Sequence, residues 1–335
     1  MNNETAKVVV FNEVGDSSVL KLVDIPLAEP KELEVRIKVE AIGLNRAEVM
    51  FREGQYLETP EFPSRLGYEA SGIVDAVGPG VSRVKVGDRV STVPAFSMGK
   101  YGVYGESAIV PEAAVAQYPE SLSALEGASL WMQYITAFGG LVEYGNLKQG
   151  EYVLVTAASS SVGLAAIQIA KSLGATVIAT SRGVEKRQLL LDNGADYVIA
   201  TDSEDLVDNV MRITSEQGAN LIFDPIGGPQ LEQLAALAAK NAQIIEYGAL
   251  STSATPYPLF AALGKGLLIR GYTLFEITQN TEKLAKAKQF IYRGLESGDL
   301  KPVIDRTFVL SEIVEAHRYM ESNQQVGKIV VRLSE

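Results

Sequence analysis

The sequence has no cysteine, one histidine and one tryptophan among 335 residues, and each scarcity excludes something. Without a thiol there is no disulfide, no cysteine nucleophile, no iron–sulfur cluster and no thiolate zinc site, and one imidazole cannot build a two-histidine metal centre. No metal is expected. Positive charge is also short: 30 lysines and arginines face 41 aspartates and glutamates, a formal charge of −11. That balance counts against binding along a nucleic-acid backbone or on an anionic membrane surface. No apolar run nears the roughly 18 residues that a membrane span needs. The opening stretch, residues 1–11, carries an acid and amides where a secretory signal needs a basic and then a long apolar segment. A cytoplasmic protein without nucleic-acid or membrane partners is the expectation.

What is present is length and two different rhythms. A chain of this size should bury roughly 75% of the surface that its unfolded form exposes, enough for two cores. Residues 34–42 alternate strictly, with Val35, Ile37, Val39 and Ala41 on one face and Glu34, Arg36, Lys38 and Glu40 on the other, the mark of a half-buried strand. Short strand-like pieces follow at 72–74, 88–90 and 106–110, separated by turn chemistry such as Gly78-Pro79-Gly80. The first 120 or so residues read as a mostly antiparallel β domain. From about 127 apolar strands alternate with helical segments, the strands near 152–156, 176–181, 196–200, 220–224, 243–247 and 267–272. Six such strands predict a parallel, doubly wound sheet. After 275 come a helix near 281–297, a strand at 306–310, a helix near 311–321 and a strand at 328–332, a tail that returns to the first domain. The expected division is 1–126 with 275–335, and 127–274 between them.

The strand at 152–155 runs through Thr156-Ala157-Ala158-Ser159-Ser160-Ser161-Val162-Gly163 into a helix whose Val162, Ala166, Ile169 and Leu173 form one stripe. Strand, tight loop and helix is the setting of a dinucleotide-binding motif. Of the three glycines of G-x-G-x-x-G only Gly163 is kept, with Ala158 and Ser160 at the other two positions. Small residues still let the backbone approach a pyrophosphate, helix-start N–H groups supply anion donors, and three serine hydroxyls add more. The alternative is that Ser159, Ser160 and Ser161 merely cap a helix. The next strand ends at Ser181-Arg182 with no acid for a ribose, and Lys186 and Arg187 follow, a set suited to a 2′-phosphate and therefore to NADPH. Against this, Lys186 and Arg187 begin a predicted helix, 185–192, where basic residues are often only a solvated face.

Taken together, Gly43-Leu44-Asn45, Arg52-Glu53-Gly54-Gln55-Tyr56, the run Pro63 to Gly72, Val77 to Val81, Lys85 to Val90, Tyr134 to Ala137, Ser161 to Gln168, Leu173 to Ala175, Gly194 to Asp196 and Gly327 to Val330 occur in a specific order and spacing. On them the chain resembles the medium-chain dehydrogenase/reductases, and within these the zinc-independent quinone oxidoreductase group that includes zeta-crystallin. In zinc-dependent members a cysteine and a histidine hold the metal where this chain has Asn45 and Tyr68, so both ligand positions are lost. The group usually has two glycines where Ser160 and Ser161 stand. The resemblance implies a GroES-like β domain made from both ends of the chain and a Rossmann NADP-binding domain. It also implies that Asn45, Thr136, the Gly248-Ala249-Leu250 turn, Phe275 and Lys328 meet the nicotinamide end of the cofactor. Taken singly, Asn45 and Thr136 also read as turn and helix-start residues, Phe275 as a core aromatic and Gly248 as a strand-end glycine.

Without a metal there is no strong Lewis acid to activate a simple alcohol. The expected acceptor is a small-molecule quinone or conjugated carbonyl, whose developing oxyanion a few hydrogen-bond donors can hold. Asn45 and Tyr56 are the candidate catalytic residues, with Tyr56 donating a proton or only binding the carbonyl. Tyr68, Tyr101, Tyr104 and Trp131 are candidates for an aromatic wall or for packing. His317, in an amphipathic helix, is expected to be structural or solvated. The other class of function is a non-catalytic NADPH-binding structural or sensory protein of the same fold. An apolar edge strand at 267–272 suggests a homodimer.

Overall fold

The computed structural model describes residues 4–333. It divides into two compact units, one formed by the chain up to Met132 and from Pro302 onward, the other by Gln133–Lys301.

The first unit carries strands β1 (Thr5–Val10), β2 (Lys21–Pro26), β3 (Glu34–Gly43), β4 (Glu69–Val77), β5 (Arg89–Thr92), β6 (Ser107–Pro111) and β7 (Val115–Gln117). The second carries β8 (Tyr152–Val155), β9 (Thr176–Ser181), β10 (Tyr197–Ala200), β11 (Ala219–Asp224), β12 (Ala238–Glu246) and β13 (Leu268–Gly271). Strands β14 (Ile304–Val309) and β15 (Lys328–Arg332) then return to the first unit.

In the first unit a seven-stranded sheet runs β14-β15-β3-β4-β5-β7, with β6 also on β3, while β1 and β2 form a separate hairpin. Every pairing is antiparallel except β14 with β15. This is the GroES-like sheet. The alternation of β3 becomes its burial: Val35, Ile37, Val39 and Ala41 are buried while Lys38 is exposed.

The second unit is a wholly parallel sheet of order β10-β9-β8-β11-β12-β13, the two-halved Rossmann arrangement. Strand order reverses between β8 and β11, which is where such folds bind ligands. Its core packs Leu154, Ile178, Ile199, Ile222 and Ile244 from five strands against helix residues such as Leu206, Val210, Leu231 and Leu234. Burying one such side chain contributes about 1.5–3 kcal/mol. β12 starts at Ala238, well before the expected 243, and absorbs a register shift against β11 near Gly218 and Asn241, both at positive φ.

The helix Thr281–Ser297 lies with the parallel-sheet unit, beyond the expected division at 275. Its apolar face decides this: Phe290 meets Phe138 with ring centroids 5.4 Å apart, and Lys283 donates to the Tyr144 hydroxyl at 2.9 Å. Among the described residues no helix is long and apolar enough to cross a membrane.

Candidate active site

At the switch point of the parallel sheet, β8 ends in a tight loop. Ala157 takes a positive φ of 45°, and the Ala158 N–H donates to the Thr180 carbonyl at 3.1 Å, pinning the loop to the end of β9. The helix Ser161–Ser172 then begins, with Ser160 as N-cap accepting from the Gly163 N–H at 3.0 Å. A Cβ on Gly163 would lie 2.5 Å from the Ala158 carbonyl oxygen, so this position needs glycine. Ser159, Ser160, Ser161 and Val162 remain half-exposed around the helix start, the end of a helix that favours an anion.

The residues expected to meet a 2′-phosphate separate. Lys186 donates to the Ser159 hydroxyl at 3.2 Å, which joins the basic segment after β9 to the loop. Arg182 is exposed just past the end of β9, and the buried Ser181 donates to the Gly183 carbonyl. Arg187 is committed elsewhere: its guanidinium pairs with Glu204 and donates to the Val198 carbonyl at 2.9 Å. It anchors its helix to β10.

Two acids that the sequence reading passed over stand at the C-terminal ends of neighbouring strands, with Asp224 of β11 in register with Glu246 of β12. Asp224 is fully buried and accepts from the Thr156 hydroxyl and from the Ile226 and Gly227 N–H groups. Glu246 has no hydrogen-bond partner on either buried oxygen; burial, and then the Asp224 carboxylate beside it, push its carboxyl up to about 9. Tyr247 stacks on Phe223 at 3.9 Å, and its buried hydroxyl lies beside Ser160 without reaching hydrogen-bond geometry. The adjoining turn Gly248-Ala249-Leu250 is exposed, held by the Leu250 N–H on the Pro225 carbonyl. Thr136 is buried in the helix Trp131–Phe138, and Phe275 is half-buried at the start of the short helix Phe275–Thr278.

The first unit holds a buried polar centre. Asn45 stands at the N-cap position of the helix Arg46–Arg52 in an extended conformation, with no capping bond from its side chain. Its Oδ1 accepts from Lys328 Nζ at 2.6 Å, and its Nδ2 donates to the Gly43 carbonyl and to Glu48 Oε1, each at 3.2 Å. Both amide hydrogens are therefore engaged within the unit. Lys328, from β15, is 1% exposed and also pairs with the equally buried Glu69. Glu69 in turn accepts from the Met132 N–H at 2.9 Å. Burial drives Glu48 up to about 7, with Lys328 opposing the shift.

Tyr56 is half-buried beside Tyr68, ring centroids 6.4 Å apart. Burial pushes its hydroxyl up to about 12, so it stays protonated. Tyr104 and Trp131 are core residues with no exposed surface, Trp131 donating to Ser91 at 2.7 Å, and Tyr101 donates to Glu34. His317 is fully buried, its Nδ1 3.1 Å from the Arg52 guanidinium, and burial pushes it down to about 3. That is the structural alternative.

A family model for the alcohol dehydrogenase GroES-like domain matches residues 31–120, and one for the zinc-binding dehydrogenase matches 161–291. Human quinone oxidoreductase is 33% identical over 324 residues, covering 96% of each chain. Among solved structures, Escherichia coli quinone oxidoreductase complexed with NADPH is similar with a TM-score of 0.89 at 28% identity, covering 97% of this chain and 99% of that one. CurK enoyl reductase reaches 0.88 at 25% identity, covering 99% and 100%. The chain belongs to the medium-chain dehydrogenase/reductase superfamily, in its zinc-independent quinone oxidoreductase group. It is an oxidoreductase of that family. Among the described residues no three His, Cys, Asp or Glu side chains stand together so as to hold a metal ion.

Proposed function

We propose that the protein is an NADPH-dependent reductase of quinones or of the conjugated double bond of α,β-unsaturated carbonyls. The observation that carries this is the Lys186–Ser159 contact, which ties a basic strand-end segment to the small-residue loop; Arg182 of the same segment is exposed just past the end of β9. A half-exposed start of a twelve-residue helix, three serines and two cations fit the pyrophosphate and 2′-phosphate of NADPH. Ser159, Ser160, Ser161, Val162 and Gly163 would hold the pyrophosphate, and Arg182 with Lys186 the 2′-phosphate. Thr136, Gly248, Ala249, Leu250 and Phe275 are assigned to the nicotinamide end. When bound, the cofactor supplies a hydride for the acceptor.

On the acceptor side Tyr56 is the better donor, because its hydroxyl keeps its proton to about pH 12 and can hold a developing oxyanion through its Oη–H. Asn45 contributes as a fixed dipole, its amide spanning Lys328 and Glu48. Lys328 acts through Asn45, since its ammonium is buried against Asn45 and Glu69.

The reading extends to assembly as a homodimer through the free edge of β13. Leu268 on that strand and Tyr257, Leu259, Phe260 and Leu263 just before it are exposed, Phe260 at 87%. Such a patch beside an open strand edge fits a second copy. Sedimentation of wild type against a Phe260→Glu, Leu263→Glu variant tests this, with a dimer expected only for the former; a wild-type monomer at micromolar concentration overturns it.

The activity is tested by parallel titration with NADPH and NADH, followed by 9,10-phenanthrenequinone and a simple enone. NADPH-selective binding with acceptor-dependent oxidation is expected, and Arg182→Ala should weaken NADPH far more than NADH. Equal weakening of both removes the 2′-phosphate assignment, and binding without turnover by any acceptor leaves a cofactor-binding protein.

A further inference from the structure

We propose that Glu48 is a positioning residue, a proton-carrying group that fixes the Asn45 amide and the main chain of Tyr68 on the acceptor side of the site. The inference rests on the proposed reductase reading for what that side does. The geometry stands without it.

Glu48 sits in the first turn of the helix Arg46–Arg52, three residues after Asn45, and has no exposed surface. Its Oε1 accepts from Asn45 Nδ2 at 3.2 Å and from the Tyr68 N–H at 3.1 Å, so one oxygen grips the Asn45 amide and the main chain of the residue whose ring stands beside Tyr56. Its Oε2 is buried and has no partner. A carboxylate oxygen left so would lose its hydration for nothing, whereas a protonated one keeps its charge neutral.

The surrounding charges point the same way. Lys328 on β15 is the cation that acts on Glu48, and it is already held by Glu69 of β4 and by Asn45. Tyr56, Tyr68 and Tyr104 face the same carboxyl as neutral hydroxyls, so none of them supplies a cation to it. Arg52, one turn further along the helix, is spent on Glu321, Glu53, the Gly15 carbonyl and His317. One available ammonium thus serves two buried carboxyls. Glu69 takes it directly, and Glu48 keeps its proton up to about pH 7.

The usual titrating groups of the neutral range do not compete. The chain has no cysteine, and its single histidine is buried and pushed down to about 3, whereas Glu48 is raised to about 7. When Glu48 gives its proton to solvent, its charge pulls harder on Asn45 Nδ2 and the Tyr68 N–H and competes with Glu69 for Lys328. The Asn45 dipole is then held differently in the two states.

The test follows the Asn45 side-chain amide by nitrogen–proton NMR from pH 5.5 to 8.5, alongside the pH profile of kcat with NADPH and phenanthrenequinone. In wild type the Asn45 resonance should shift with a single midpoint near 7, and kcat should change by about threefold or more across the same range. In Glu48→Gln both steps should vanish, the resonance and kcat staying flat. Glu48→Asp, with a shorter arm, should keep a titration but show an altered Asn45 resonance. A wild-type Asn45 amide that does not move with pH, or that moves identically in Glu48→Gln, overturns the proposal whatever the activity. An amide that titrates as expected in a protein that turns over no acceptor supports the positioning role of Glu48 and removes the reductase reading instead.

Discussion

Acidification should expose two buried groups of opposite sign in the same unit, His317 and Glu48. Burial, and secondarily Arg52, hold His317 at about 3 against an ordinary 6.5. With the folded value depressed, the unfolded chain takes up the proton first, so this stability is intact above pH 6.5 and lost as pH falls toward 3. Glu48, raised by burial to about 7 from 4.5, runs the other way: its folded form keeps a proton that the unfolded chain has released. Stability from that group is highest below 4.5 and falls as pH rises through 7. At about 1.4 kcal/mol per unit, His317 loses about 3 kcal/mol between pH 6.5 and 4.5 while Glu48 regains about 3 kcal/mol. The two nearly cancel. Below 4.5 His317 alone continues, for about 2 kcal/mol more by pH 3.

Urea denaturation at pH 7, 5.5 and 4.5 measures this in wild type, His317→Gln and Glu48→Gln. Other carboxylates titrate alike in all three and drop out of the differences. Relative to wild type, His317→Gln should gain about 3 kcal/mol on going from pH 7 to 4.5, and Glu48→Gln should lose about as much. Parallel pH curves for His317→Gln and wild type would refute the reasoning.

Gly163→Ala should weaken NADPH binding at least about tenfold and lower the melting temperature, because its Cβ would meet the Ala158 carbonyl at 2.5 Å; calorimetry and cofactor titration check both. Lys328→Met leaves the buried Glu69 carboxylate without its cation and should cost about 3–5 kcal/mol in a denaturant melt, with the Lys328→Met, Glu69→Gln pair recovering part of it. Glu246, raised to about 9 by burial and then Asp224, makes the parallel-sheet unit less stable as pH rises toward 9; Glu246→Gln should flatten that slope in melts at pH 7 and 9 and raise the midpoint at the upper end.

The strands and helices were legible because burial writes a period into the chain. The alternation at 34–42 became β3, and the six apolar runs became β8 to β13 in a single parallel sheet. The loop after β8 was legible too, since a strand, small residues and a capped helix leave a local mark that needs no partner. Lone composition already settled that no thiolate chemistry was possible. What the sequence could not contain was pairing across distance. Lys328 lies 283 residues from Asn45, and only the return of β15 to β3 brings its ammonium to that amide and to Glu69. Likewise Lys186 and Arg187 are neighbours of the same charge; the fold turns one to the serine loop and the other to Glu204. Glu48, Asp224 and Glu246 stand in no motif that singles them out in the sequence. Their shifted proton affinities arise from burial and from who else is buried beside them, quantities that exist only once the chain is folded.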